Sequence, residues 1–172
     1  MPEPEKTISK TERLLSIYHM FRFWDDVSTQ ALCNSLPGHK RTFFRDIALL
    51  KRAGVPVKFS KRRKAYVLTD EAGNELPRGK FRAAPELPEG KKERQFLEKI
   101  VRLMTMMDGL PIDDCDVWYR ENFPEASKRT MQRDFAILKA VGYVIYYKRE
   151  WDDPDYKSDE RPPGHYYHVE VI

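Results

Sequence analysis

Three arginines and an alanine share one side of a helix in the segment Arg41 to Gly54 (RTFFRDIALLKRAG). On a wheel of about 100° per residue, with Phe43 at the centre of the buried face, Ile47, Leu50 and Gly54 fall close to it. Arg41, Arg45, Ala48 and Arg52 fall on the opposite, solvated side. Guanidinium groups in such a row bind phosphate oxygens or the O6/N7 edge of guanine, whose two acceptors match two parallel N–H donors. Ala48 is small, so this side of the helix can come close to a groove floor.

The same face occurs twice. Arg129 to Gly142 (RTMQRDFAILKAVG) repeats the first segment without a gap at an offset of 88 residues. Arg, Thr, Arg, Asp, Ala, Leu, Lys and Gly recur at identical positions, and Ile47 and Leu49 are answered by Phe135 and Ile137. A single charged helix face is what solubility alone requires. A duplicated one argues for a shared polyanionic ligand. The outward residues of the second copy are Arg129, Arg133, Ala136 and Ala140. Candidate contacts with double-stranded DNA are therefore His39, Lys40, Arg41, Thr42, Arg45 and Arg52 in the first copy. In the second they are Ser127, Lys128, Arg129, Thr130, Gln132 and Arg133.

Asp46 and Asp134 lie on the flank of the buried face. A carboxylate turned toward DNA would repel phosphate, so each is predicted to partner a basic group on another helix or a hairpin rather than to do chemistry. Lys61, Arg62, Arg63 and Lys64 put four positive charges in one turn, with Tyr66 just after. Such a turn suits phosphate contact or minor-groove entry, although lysines also keep an edge hairpin soluble.

Other chemistries find little footing. His165 and His168 are three apart on a predicted strand, so they face opposite sides and cannot chelate one metal. Asp113, Asp114 and Asp116 open a helix, where carboxylates offset the dipole. No phosphate-binding glycine loop or activated nucleophile is present. Neither an enzymatic activity nor a cofactor or metal is expected. Cys33 and Cys115 read as small buried fillers, and Met104, Met106 and Met107 as core.

The elements that position these residues also come in pairs. Amphipathic helices are predicted over about Ser9 to Phe23, with Leu14, Leu15, Ile17, Tyr18 and Phe21 inward, and over about Lys91 to Met107, with Phe96, Leu97, Ile100, Val101 and Met104 inward. Short helices follow, about Thr29 to Ser35 and about Asp114 to Asn122, with Ser28 and Asp113 as N-caps. The repeated segment is the third helix, closed by Gly54 and Gly142. Strand-like periods then appear at Val55 to Ser60 and Ala65 to Thr69, and again at Tyr143 to Arg149 and His165 to Val171. Three helices and a hairpin, twice, give a mostly α (α+β) fold of two tandem winged helix-turn-helix domains. Their expected spans are 1–72 and 91–172. A linker over 73–90 contains Pro77, Pro85 and Pro88. The second wing loop, Glu150 to Gly164, is long and acidic (Asp152, Asp153, Asp155, Asp159, Glu160), a poor phosphate binder that suits a solvated loop or a protein partner.

The stretch Val27 to Gly54 resembles the winged helix at the N-terminus of DeoR-type and WYL-domain bacterial transcription regulators. Arg41, Thr42, Arg45, Asp46, Leu50 and Gly54 match that pattern directly, with Leu32 and Cys33 at the mid-helix places. The second copy matches at Ser127, Arg129, Thr130, Arg133, Asp134, Leu138 and Gly142. His39 stands where the family has a capping Ser; Ser127 keeps it. The resemblance implies transcription regulation through DNA. In those regulators a ligand-sensing or WYL domain normally follows; none is expected within the residues up to Ile172.

Charge supports the same direction. The formal net charge is +4 and the pI about 9.0, but the excess is uneven. Residues 1–90 hold 17 Lys and Arg against 11 Asp and Glu, whereas residues 91–172 hold 14 against 16. The first unit is thus expected to be the main DNA reader. The second is open to a protein partner or self-association, and the competing reading is a tandem winged-helix protein-interaction adaptor of the chromosome-organisation or replication-initiation type. Nothing resembles a signal peptide or a membrane span. The expected place is the bacterial cytoplasm, at the nucleoid.

Overall fold

Helix α1 (Lys10–Phe23) begins at a capping box. The Ser9 hydroxyl accepts from the Glu12 amide, and the Glu12 carboxylate accepts from the Ser9 amide at 2.7 Å. Two otherwise orphaned donors are satisfied in this way. Helix α2 (Thr29–Ser35) is capped by Ser28, whose side chain accepts from Ala31 N at 3.0 Å. Helix α3 (Lys40–Arg52) starts at His39, which makes no side-chain cap bond. This computed structural model describes residues 7–76, 82–112, 114–148 and 164–168.

The first core forms where the three apolar stripes meet. Leu14, Leu15, Ile17 and Tyr18 from α1, Leu32 from α2, and Phe43, Ile47 and Leu50 from α3 are all buried. Strands β1 (Val57–Ser60) and β2 (Ala65–Leu68) pair antiparallel, Val57 opposite Leu68 and Ser60 opposite Ala65, and close this core with Val57, Ala65, Val67 and Leu68. Val27 adds a short bridge to the outer side of β2, donated by Tyr66 N to Val27 O at 2.8 Å. The sequence signalled no strand there, because one residue has no period.

Helix α4 (Lys91–Gly109) buries Leu97, Ile100, Leu103, Met104 and Met107 at helical spacing. Helices α5 (Cys115–Asn122) and α6 (Lys128–Ala140) follow, then β3 (Val144–Lys148) and β4 (Gly164–His168), paired antiparallel with Val144 opposite His168. The fold is therefore mostly helical, α+β, with two two-stranded antiparallel sheets. The element order α-α-α-β-β occurs twice. The chain divides into two compact units, Met1–Met104 and Thr105–Ile172, so the division falls inside α4 rather than at the 73–90 segment. Among the described residues no helix is long and apolar enough to cross a membrane.

Three sequence expectations change. The N-cap of α5 is Asp114, in the left-handed region at φ 56° and without a side-chain cap bond; Asp113 lies outside the described residues. The 73–90 segment is not a free tether where it is described. Leu76 N donates to Leu68 O at 2.9 Å, Ala83 N to Gly54 O at 2.8 Å and Glu86 N to Arg52 O at 2.7 Å. The last carbonyls of a helix have no partner within it, and residues 83–86 supply donors to those at the end of α3. Cys115 is buried as expected, while Cys33 is half-buried; both are free thiols.

Candidate nucleic-acid interface

The orientation of α3 is set by an alternation within the Arg-Asp dipeptide. Arg45 points to solvent and Asp46 inward, where it is 1% exposed. Arg13 of α1 meets it with Nε at 2.5 Å from Oδ2 and Nη2 at 3.3 Å from Oδ1. In the second copy Arg133 is exposed and Asp134 is 1% exposed. There the Tyr119 hydroxyl of α5 donates to Asp134 Oδ2 at 2.6 Å. The first carboxylate thus has the basic partner on another helix that the sequence called for. The second receives the hydrogen bond of a phenol, to which the sequence assigned no role.

With the aspartates inside, the outward side follows. Arg41, Arg45 and Ala48 are exposed on α3, together with Lys40, Phe44 and Lys51. Thr42 and Arg52 are half-buried, and the Arg52 carbonyl is engaged by Glu86 N. On α6, Lys128, Arg129, Gln132, Arg133, Ala136 and Lys139 are exposed and Thr130 is half-buried. Position by position, the burial of residues 41–51 is repeated in residues 129–139. Phe44 and Lys51 also belong to the outward face, since neither falls on the Phe43–Ile47–Leu50 stripe.

The helix starts differ. Exposed His39 leaves the first amides of α3 without a side-chain cap, whereas Ser127 accepts from Thr130 N at 3.1 Å and shares a 3.0 Å hydrogen bond with the Thr130 hydroxyl. Free amides at a helix start favour an anion, since the dipole adds partial positive charge there. Ser127 and Thr130 are occupied with each other in this structure.

The turn between β1 and β2 exposes Lys61, Arg62, Arg63 and Lys64, but its charges are not equivalent. Arg63 Nη1 lies 3.1 Å from Asp26 and its Nε 3.1 Å from Glu75, and Arg62 Nη2 lies 3.6 Å from the same Glu75 oxygen. Among the described residues Lys61 and Lys64 have no ion-pair partner. Lys64 sits at φ 52°. Tyr66, just beyond, is packed edge-on against its cross-strand partner Phe59 at 5.3 Å between ring centroids. Burial pushes the Tyr66 hydroxyl above the ordinary tyrosine range, and a hydrogen bond with Thr29 pulls it back in part.

The acidic second loop falls outside the described residues. Strand β4 carries His165 and His168, and among the described residues no group of three His, Cys, Asp or Glu could hold a metal. No family model matches the chain, and neither the curated proteins nor the solved structures provide a match.

Proposed function

We propose that this chain is a sequence-specific double-stranded DNA-binding protein of two tandem winged helix-turn-helix units, acting in transcription regulation, with the first unit the main reader. The observation that carries the reading is the repeated burial of 41–51 and 129–139, which turns the same Lys-Arg-x-x-x-Arg cations outward on two helices. Those helices are the ones that enter the major groove, with residues of their N-terminal half nearest the bases. The Lys61–Lys64 turn is the wing, and its unpaired lysines neutralise backbone phosphates. Two recognition helices in one chain serve two half-sites without dimerisation.

A protein-interaction role for the second unit has one specific support. Ile112, Val117 and Val144 are exposed there, in the half of the chain with excess negative charge.

The test is selection of bound duplexes from a random-sequence library with the full chain, followed by anisotropy titration at fixed salt and sedimentation of the complex. One chain per duplex on a non-palindromic site is expected. Enrichment of no sequence, together with duplex affinity no better than that of an acidic heteropolymer control, would sink the proposal.

A further inference from the structure

Among the outward positions of the two repeated helices, nearly everything is duplicated. Lys40, Arg41, Arg45, Ala48 and Lys51 are answered by Lys128, Arg129, Arg133, Ala136 and Lys139, each exposed like its counterpart. One outward position in this stretch differs: Phe44 against Gln132. The next difference, Arg52 against Ala140, falls in the last turn, where Arg52 is half-buried.

Phe44 is 51% exposed. A lone exposed apolar side chain is ordinary on a protein surface. A phenyl ring among cations is a different matter, because Lys40 and Arg41 lie one turn before it on the same side of the helix and Lys51 two turns after it. Among the described residues no aromatic ring packs on it, and cations around it suit a polyanion that brings an apolar group with it. The methyl group of thymine, in the major groove between two phosphate backbones, is such a group. Gln132 presents a donor and an acceptor from the same helical position, which match adenine N7 and N6.

Duplicated cations treat the two half-sites alike, whether they meet phosphate, which carries no sequence information, or the same guanine edge in each. The divergent position is left to distinguish them. We infer that Phe44 and Gln132 are the specificity-determining pair: Phe44 contacts a thymine methyl in one half-site, and Gln132 makes paired hydrogen bonds to an adenine in the other. This inference rests on the DNA-binding reading proposed above.

The test uses the full chain and its selected duplex, probed one atom at a time. Deoxyuridine in place of thymidine removes only the methyl; 7-deaza-deoxyadenosine removes only the N7 acceptor. At one position uracil should weaken binding of the unaltered chain about fivefold and leave the Phe44→Ala chain unaffected. At a second position the deaza analogue should weaken the unaltered chain about tenfold and leave Gln132→Ala unaffected. Phe44→Leu, which keeps an apolar tip, should retain the uracil response. Phe44→Gln should select adenine where the unaltered chain selects thymine. Both residues are exposed, so thermal melting of each variant should match the unaltered chain and separates loss of contact from loss of fold. If a site is selected but neither analogue affects the unaltered chain, or the variants respond as it does, the specificity assignment is overturned and DNA binding stands. If no duplex is bound at all, the DNA-binding reading itself has failed, and the assignment with it.

Discussion

Arg13 on α1 and Asp46 on α3 form a two-point contact, Nε to Oδ2 and Nη2 to Oδ1, across 33 positions of sequence. The carboxylate is almost fully buried and the guanidinium mostly so. Breaking such a pair from one side leaves a charge stranded in the interior, which costs about 3–5 kcal/mol. Arg13→Leu should therefore lower unfolding free energy by roughly 3 kcal/mol. Urea denaturation checks this, and a loss under about 1 kcal/mol, the size of an exposed ion pair, would show that the contact does not orient α3. Tyr119→Phe removes one hydrogen bond from Asp134, and its cost should be smaller, about 1.5–3 kcal/mol.

The glycines that end α3 and α6 make an internal control. Gly54 and Gly142 have φ of 95° and 103°, a region where a side chain costs roughly 1–2 kcal/mol. At Gly142 an added Cβ meets nothing among the described residues, whereas at Gly54 it runs into the backbone carbonyl of Ala83. Gly142→Ala should lose only the conformational cost; Gly54→Ala should lose that and the closure of residues 83–86 on the helix. Equal destabilisation of the two variants in chemical denaturation would mean that the 83–86 contact contributes nothing.

Binding should depend unequally on the two helices. Arg41→Ala with Arg45→Ala is expected to weaken DNA binding far more than Arg129→Ala with Arg133→Ala. The first pair sits in the positively charged half of the chain and on a helix whose first amides lack a side-chain cap. Fluorescence anisotropy at one salt concentration decides; equal losses would remove the ranking of the units.

The cations of the β1–β2 turn separate by partner. Lys61→Ala with Lys64→Ala should flatten the slope of log K against log salt by up to about 0.9 per lost phosphate contact, with sequence preference retained. Arg63→Ala should change the slope less, since Arg63 already pairs with Asp26 and Glu75. It should also loosen the hairpin, read as faster hydrogen exchange at Tyr66 N, which bonds Val27. A slope unchanged by the lysine pair would show that the turn does not touch the backbone.

The sequence by itself determined the duplication, the helices of the described residues to within a residue or two, and the side of α3 and α6 that faces solvent. These are local properties, set by the 3.6-residue period of apolar positions and by terminal signals such as Ser28, Gly54 and Gly142. The tertiary structure alone decided which group meets each buried aspartate, that Val27 bridges to β2, and that two of the four cations of the β1–β2 turn are engaged by Asp26 and Glu75. It also decided that residues 83–86 close over the end of α3. Each of these joins residues far apart in sequence through distances of a few ångströms, and no periodicity along the chain encodes such a distance.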